Sequence, residues 1–322
     1  MAKSQAIKVA DVRKSRENFN PDIHQERIKV GIDRVTILID GSAYLLFMDL
    51  DKRFRKVLPA GFKISKSDFN SFSISKDFED GEDVNLVYVE AINKINSCLR
   101  IDFNPNSLKE YDGMVIWRQL MAYIKFNQLE THLSRLDLAF DVYNMPSISN
   151  LKHIKGGVSE KKYYGRSNEL ETHYFGSRSS NVQVRLYDKQ KERLQRGKLT
   201  EDDLKKAPYH WRFEMQLRTK AIDKNTVDEV ITRLSKFGIY DYQKLGADMR
   251  FAYLYLQDES ILPQMYPELT PESLRKRKSR IRKRLEEQGS DFSEKMVNAL
   301  TEQMPQLAEE LKQYTQEFLG FE

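Results

Sequence analysis

The apolar positions of this chain change period as it is read from one end to the other, and the changes mark its organisation. Residues 1–30 are rich in charge with weak periodicity, so they read as a flexible arm. From Gly31 the pattern becomes β-rich, with RVTILID at 34–40. Residues 41–83 mix polar and aromatic side chains and define no clear element. VNLVYVEA at 84–91 alternates as a strand does, and LRIDFNPNSL at 99–108 reads as a strand followed by an Asn-Pro-Asn turn. Over 111–130 the apolar residues recur at three- and four-residue steps, which predicts a helix. Three further strands stand out, RLDLAFDVY at 135–143, VQVRLYDK at 182–189 and WRFEMQLR at 211–218. The segment between the first two predicts a hairpin turning near Ser167 and Asn168. Strand signals stop after Thr219, and 220–322 reads as helical, with Thr270 as an N-cap and Pro271 at a first helical position. The fold class expected is α+β. An antiparallel-rich sheet at 31–219 follows the arm at 1–30, and a mostly helical region fills 220–322.

Side chains alternate across a strand, so residues two apart share a face. Leu136, Leu138 and Phe140 lie on one face of the first strand, against Arg135, Asp137, Ala139 and Asp141 on the other. In the second, Val182, Val184 and Leu186 oppose Gln183, Arg185, Tyr187 and Lys189; in the third, Phe213, Met215 and Leu217 oppose Arg212, Glu214, Gln216 and Arg218. A sheet with one solvated face gives the same alternation. What distinguishes these faces is their mixture. Carboxylates can supply oxygen ligands to a divalent metal, arginine and lysine can hold phosphates, and a tyrosine lies on the middle segment. These are the parts for cutting a phosphodiester by transesterification. A phenol, with an ordinary pKa of about 10, is a poor nucleophile at neutral pH unless nearby cations favour its phenolate.

Composition narrows the setting. The 322 residues are 40% hydrophobic, 11% aromatic and 31% charged, enough for a sizeable core under a polar surface. No apolar run approaches the ~18 residues that span a bilayer, and the first 30 residues lack the apolar stretch of a signal peptide, so a cytoplasmic location is expected. The single cysteine, Cys98, has no partner for an intrachain disulfide and reads as a core residue. The net charge is +5, but RKRKSRIRKR at 275–284 carries eight positive charges, and removing them leaves −3 on the rest. That segment, with Arg275, Lys276, Arg277, Lys278, Arg280, Arg282, Lys283 and Arg284, is either a solvated helix face or a local contact for a polyanion such as DNA.

The motifs LRIDFNPN, SRLDLAFDVY, KKYYGRSNELETHYFGSR, VRLYDKQKER and WRFEMQLR, in this order, resemble the replication initiators of small rolling-circle plasmids from staphylococci and related Gram-positive bacteria, the Rep_trans family. The resemblance is strong over roughly 85–220 and looser in the helical tail. It implies an origin-nicking transesterase whose tyrosine, here Tyr187, becomes linked to a 5′-phosphate and leaves a 3′-hydroxyl primer. It also implies a requirement for Mg²⁺ or Mn²⁺, a homodimer, a helicase partner and origin recognition through the C-terminal part of the chain. The five histidines, His24, His132, His153, His173 and His210, include no His-x-His pair of the kind many nicking enzymes use for metal. A carboxylate set is implied instead, carried over to Asp137, Glu214 and Asp141. Arg185 and Lys189 flank Tyr187 on its own face and read either as partners of phosphate or phenolate or as solvated surface charges. Asp102 is read as a salt-bridge residue, and Tyr164 and Tyr174 are the rival tyrosines.

Near the C-terminus, Val297, Leu300, Met304, Leu307, Leu311, Tyr314 and Phe318 alternate steps of three and four. Two readings fit: a helix packing on its own core, or a dimer or helicase contact. Pro305 lies within the seam and is expected to kink or split the helix. Two other functions share the same features, a conjugative relaxase nicking a transfer origin and a non-catalytic origin-binding repressor.

Overall fold

The computed structural model describes residues 7–78, 83–93, 97–153, 158–166, 168–239, 246–247, 261–287, 291–315 and 319. Its centre is a ten-stranded antiparallel sheet, so the α+β expectation is met. In chain order its strands are β1 (Arg27–Asp40), β2 (Phe62–Asp68), β3 (Ser71–Lys76), β4 (Val84–Asn93), β5 (Ser97–Phe103) and β6 (Thr131–Tyr143). After β7 (Leu151–His153), which stands outside this sheet, come β8 (Glu160–Tyr164), β9 (Leu170–Phe175), β10 (Val182–Asp188) and β11 (His210–Arg218). Across the sheet the order is β2-β3-β4-β5-β1-β6-β11-β10-β9-β8. The three strands that stand out in the sequence are therefore adjacent as β6, β11 and β10. The one that is second in the chain lies outermost of the three.

The sheet's apolar positions build its core. Phe140 and Phe213, partners in the β6–β11 register, meet edge to face at 5.9 Å. Helix α2 (Ala43–Val57) covers β4 and β5, burying Phe47, Leu50 and Phe54. Asn104 accepts hydrogen bonds from the Asn106 and Ser107 amides and so caps α3 (Pro105–Glu110), with Pro105 at its first position. The expected turn at Asn-Pro-Asn is thus a helix start. The helix expected over 111–130 is α4 (Met114–Phe126). Cys98 is buried, as expected of a core residue.

Three expectations need correction. The arm is not irregular throughout: α1 (Val9–Glu17) packs against α5 (Lys189–Gln195) and α6 (Glu201–Lys206), and β1 starts at Arg27. Arg16 ties it down through Asp188, at 2.7 Å, and the Gln190 side chain. The region after 219 is mostly helical, as expected, and also holds one short strand among the described residues. Beyond α7 (Thr226–Leu234), β12 (Phe237–Ile239) pairs with β7. Lys189 is the first residue of α5 rather than a strand residue, because Asp188 caps that helix by accepting from the Lys191 amide. Pro305 does not end its helix. The last helices are α8 (Ile261–Met265), α9 (Pro271–Glu287) and α10 (Phe292–Lys312), and α10 runs through it.

The heptad seam on α10 is spent on intrachain packing. Leu300, Leu307, Leu311 and Tyr314 are buried in the same core as the sheet residues, so that core crosses the boundary expected near 219. The Val30 amide donates to the Gln303 side chain at 2.9 Å, and the Trp117 indole donates to the Gln313 carbonyl at 2.8 Å. Phe318 lies outside the described residues. Among the described residues, no helix is long and apolar enough to cross a membrane.

Candidate active site

The polar faces of β6, β11 and β10 form one surface because their registers align them in rungs. Tyr187 stands opposite Arg212, and Arg212 opposite Asp141. On the next rung Arg185 stands opposite Glu214, and Glu214 opposite Ala139. On the third, Gln183 faces Gln216 and Gln216 faces Asp137. Sequence alternation therefore places Tyr187, Arg185, Glu214, Asp137 and Asp141 correctly on one side of one sheet.

Tyr187 is the penultimate residue of β10 and lines a cleft of about 310 Å³ with Asp33, Tyr174, Arg185 and Lys189 among its walls. Arg185 lies over its ring, 4.6 Å from guanidinium carbon to centroid, and the Lys189 ammonium is 5.5 Å from the same centroid. Burial pushes the phenol well above its ordinary range. Arg212 and Arg185 oppose that shift, while Glu214 and Asp33 add to it. The neighbouring cations do favour the phenolate, as expected, but in the free chain burial outweighs them. Burial, reinforced by Arg212, lowers the Lys189 pKa, against the Glu192 carboxylate that holds it at 2.7 Å.

Each carboxylate on this face has a guanidinium partner. Asp141 is bound bidentately by Arg212, with both contacts at 2.8 Å, and its Oδ1 is 2.9 Å from His210 Nε2. Although burial works the other way, His210 and Arg212 hold the Asp141 carboxyl well below the usual carboxylate range. Arg212 also reaches Asp33 at 2.6 Å. Glu214 accepts from Arg185 at 2.7 Å. Asp137, 1% exposed, is forked by Arg135, yet burial pushes its pKa up to about 6, helped by Glu214 and Asp33. Asp102 pairs with Arg34 and Arg100 and accepts from Thr36, as its salt-bridge reading requires.

That pairing decides how the expected metal set stands. Asp137, Glu214 and Asp141 share a face, but each is neutralised by its own arginine. Among the described residues no three His, Cys, Asp or Glu side chains converge as a metal centre. The residues as arranged do not fit a ready-made Mg²⁺ or Mn²⁺ site, since a hard cation needs several oxygen ligands at once.

Two site residues escape a reading of the sequence, and a third is read there only as a rival nucleophile. Arg212 falls on the polar face, but nothing local gives it a role; only the register sets it opposite Tyr187. Asp33 sits where the β1–β6 register shifts, between Ile32 and Arg34, and nothing local announces such a bulge. Tyr174, a rival for the nucleophile by sequence, stands opposite Arg185 on β9 and lines the same cleft.

The basic segment lies on α9, whose N-cap is Thr270, accepting from the Ser273 amide at 3.3 Å. Arg275, Lys276, Arg277, Arg280 and Lys283 are exposed and Lys278 half-buried. Arg277 stacks on Tyr266 at 4.0 Å and Lys276 pairs with Glu272. The side chains of Arg282 and Arg284 fall outside the described residues.

No protein-family model matches the chain. Over 125 residues, 39% of its length, it is 32% identical to a replication initiation protein of Staphylococcus aureus. Two further proteins of the same name and organism are 31% identical over 127 and 126 residues. The matched stretch spans 37% of each relative's length. A solved structure of a rolling circle replication initiator protein from Geobacillus stearothermophilus overlaps 69% of this chain and 90% of its own, with 15% identity and a TM-score of 0.38. Over more than a third of its length, this chain is a homologue of staphylococcal proteins named replication initiation protein.

Proposed function

We propose that the chain initiates rolling-circle replication of a plasmid by nicking one strand of its origin through Tyr187. The phenolic oxygen attacks the scissile phosphorus and the bond from phosphorus to the 3′ oxygen breaks. The phenolic proton passes to a base in the cleft, and the departing 3′ oxygen takes up a proton to become the primer hydroxyl. A 5′-phosphotyrosine forms and keeps a phosphoester that a later 3′-hydroxyl can attack, so resealing needs no ATP. Arg212 and Arg185 would offer guanidinium donors to the phosphate oxygens, where charge develops in the transition state. The Nε of Arg185 supports this role, being buried with no acceptor of its own among the described residues.

The observation that carries the reading is the placement of Tyr187. Its cleft is walled by cations on the face the motifs mark, at the junction of a strand and a capped helix. Mg²⁺ or Mn²⁺ enters this proposal only as a requirement to be tested with EDTA, because no ligand set is assembled. Origin duplex binding is assigned to α9, while a homodimer and a helicase contact remain proposals that the buried seam of α10 does not supply. The test is relaxation of the chain's own supercoiled plasmid by Tyr187→Phe, with Tyr174→Phe as control. Loss in the first and retention in the second support Tyr187. Retention in Tyr187→Phe removes it as nucleophile, whereas origin binding without any relaxation by the unaltered chain favours the origin-binding repressor.

A further inference from the structure

Among the described strands, β8 is an edge of the sheet, hydrogen-bonded only to β9, so one row of its backbone groups has no strand partner there. It is short and both basic and aromatic, with Lys161, Lys162, Tyr163 and Tyr164 in succession. Alternation sends these to two sides. Tyr163 meets the ring of Tyr174, a wall of the Tyr187 cleft, edge to face at 5.8 Å. Lys162 and Tyr164 instead line a second cavity, of about 820 Å³, together with Lys152 on β7, Arg13 and Arg16 on α1, and Tyr209.

This second cavity has the composition of a nucleic-acid seat. Phosphates need cations, and bases need exposed rings. Tyr164 is 54% exposed, so a face is free for stacking. Lys152 and Lys162 meet side chain to side chain. Burial, with Lys162 adding to it, pushes the Lys152 pKa down to about 7, against the Glu160 carboxylate. Two ammonium groups brought together repel, and a bound anion relieves that repulsion. The cavity also adjoins the Tyr187 cleft. Lys191, in the cleft wall, bonds at 2.8 Å to Glu169, which lines the cavity.

We propose that this cavity and the free edge of β8 seat single-stranded DNA flanking the nick, with backbone phosphate at Lys152 and Lys162 and a base stacked on Tyr164. That this strand continues from the scissile phosphate rests on the reading of Tyr187 above; that single-stranded DNA binds here does not. The test therefore measures binding without cleavage, by fluorescence anisotropy of labelled oligothymidine of about 20 nucleotides, with every protein carrying Tyr187→Phe. Lys152→Gln with Lys162→Gln, and separately Tyr164→Ala, should each weaken binding on the order of tenfold. Tyr164→Phe, which keeps the ring, should bind as its parent does. Unchanged affinity in folded variants, checked by circular dichroism, overturns the proposal.

Should the lysine variants fail to fold, the parent chain itself gives the answer. Acylation by an amine-reactive probe, mapped by mass spectrometry, should be suppressed at Lys152 and Lys162 by oligothymidine and not by thymidine monophosphate. Equal protection by the mononucleotide means a small-nucleotide pocket, and no protection by either means no site; both outcomes contradict a strand seat. If oligothymidine binding behaves as expected but Tyr187→Phe still nicks plasmid, the seat stands and the nucleophile assignment falls.

Discussion

Tyr187 stands directly across the β10–β11 ladder from Arg212, and that arginine is fixed by Asp141 on one side and Asp33 on the other. The principal cation beside the proposed nucleophile is thus held in place before any substrate arrives. A guanidinium already locked by two carboxylates loses little conformational freedom when it meets a phosphate.

Removing Arg212 should therefore cost stability as well as activity. Arg212→Gln leaves the largely buried Asp141 with His210 beside it but without its guanidinium, and breaking one partner of a buried pair costs about 3 kcal/mol or more. Urea unfolding monitored by tryptophan fluorescence should show a lower midpoint with an unchanged slope. A midpoint equal to wild type would mean that the pair contributes nothing.

Two aspartates on this face should respond to pH in opposite directions. The Asp141 carboxyl is held below its unfolded value, so its contribution is present above the unfolded pKa of about 3.9 and lost as pH falls through the folded one. Asp137 is pushed up to about 6, so between that value and its unfolded pKa the folded chain binds the extra proton. Its contribution to stability therefore grows as pH falls from about 6 to about 4. The stability of wild type minus that of Asp137→Asn, measured by denaturant titration, should rise across that window. A difference that falls there contradicts the raised pKa.

The ion pairs also predict how the free chain treats metal. With Asp137 on Arg135, Glu214 on Arg185 and Asp141 on Arg212, calorimetric titration of Mn²⁺ without DNA should give the same weak binding for wild type and Glu214→Gln. A tight site that disappears in Glu214→Gln would show that the carboxylates exchange arginine for metal, as the resemblance implies.

Helix α9 should govern affinity for duplex rather than chemistry. Replacing Arg275, Lys278 and Lys283 by Gln should weaken origin duplex binding and reduce the slope of log affinity against log salt by about 0.9 for each phosphate that is no longer neutralised. Cleavage of a short single-stranded oligonucleotide bearing the nick sequence should persist. An unchanged salt slope would leave α9 as a solvated helix.

The central strands are legible in the sequence because their alternation is strict. Leu136, Leu138, Phe140 and their counterparts on β10 and β11 fix which face turns inward, and that puts Tyr187 with Arg185 on the polar face of β10 and Glu214 on that of β11 without any coordinates. The strand order is not legible: alternation says which side a residue faces, not which strand lies next to it. The ionic partners are also hidden. Asp141 reads as a ligand in isolation, and only the register that brings Arg212 opposite turns it into a counterion. Asp33 depends on a bulge that leaves no local mark. The seam on α10 shows the converse limit, since its spacing fits a partner helix and the chain's own core equally well. Burial of Leu300, Leu307 and Leu311 decides for the core.

The most direct test of the account is the identity of the residue that carries DNA after cleavage. The chain is incubated with its own plasmid, the reaction is stopped with denaturant, and the peptide linked to the DNA 5′ end is sequenced by mass spectrometry. The account predicts one adduct, at Tyr187 within VRLYDK, absent from Tyr187→Phe. An adduct at Tyr174 or Tyr164, or nicked plasmid with no covalent protein at all, would contradict it.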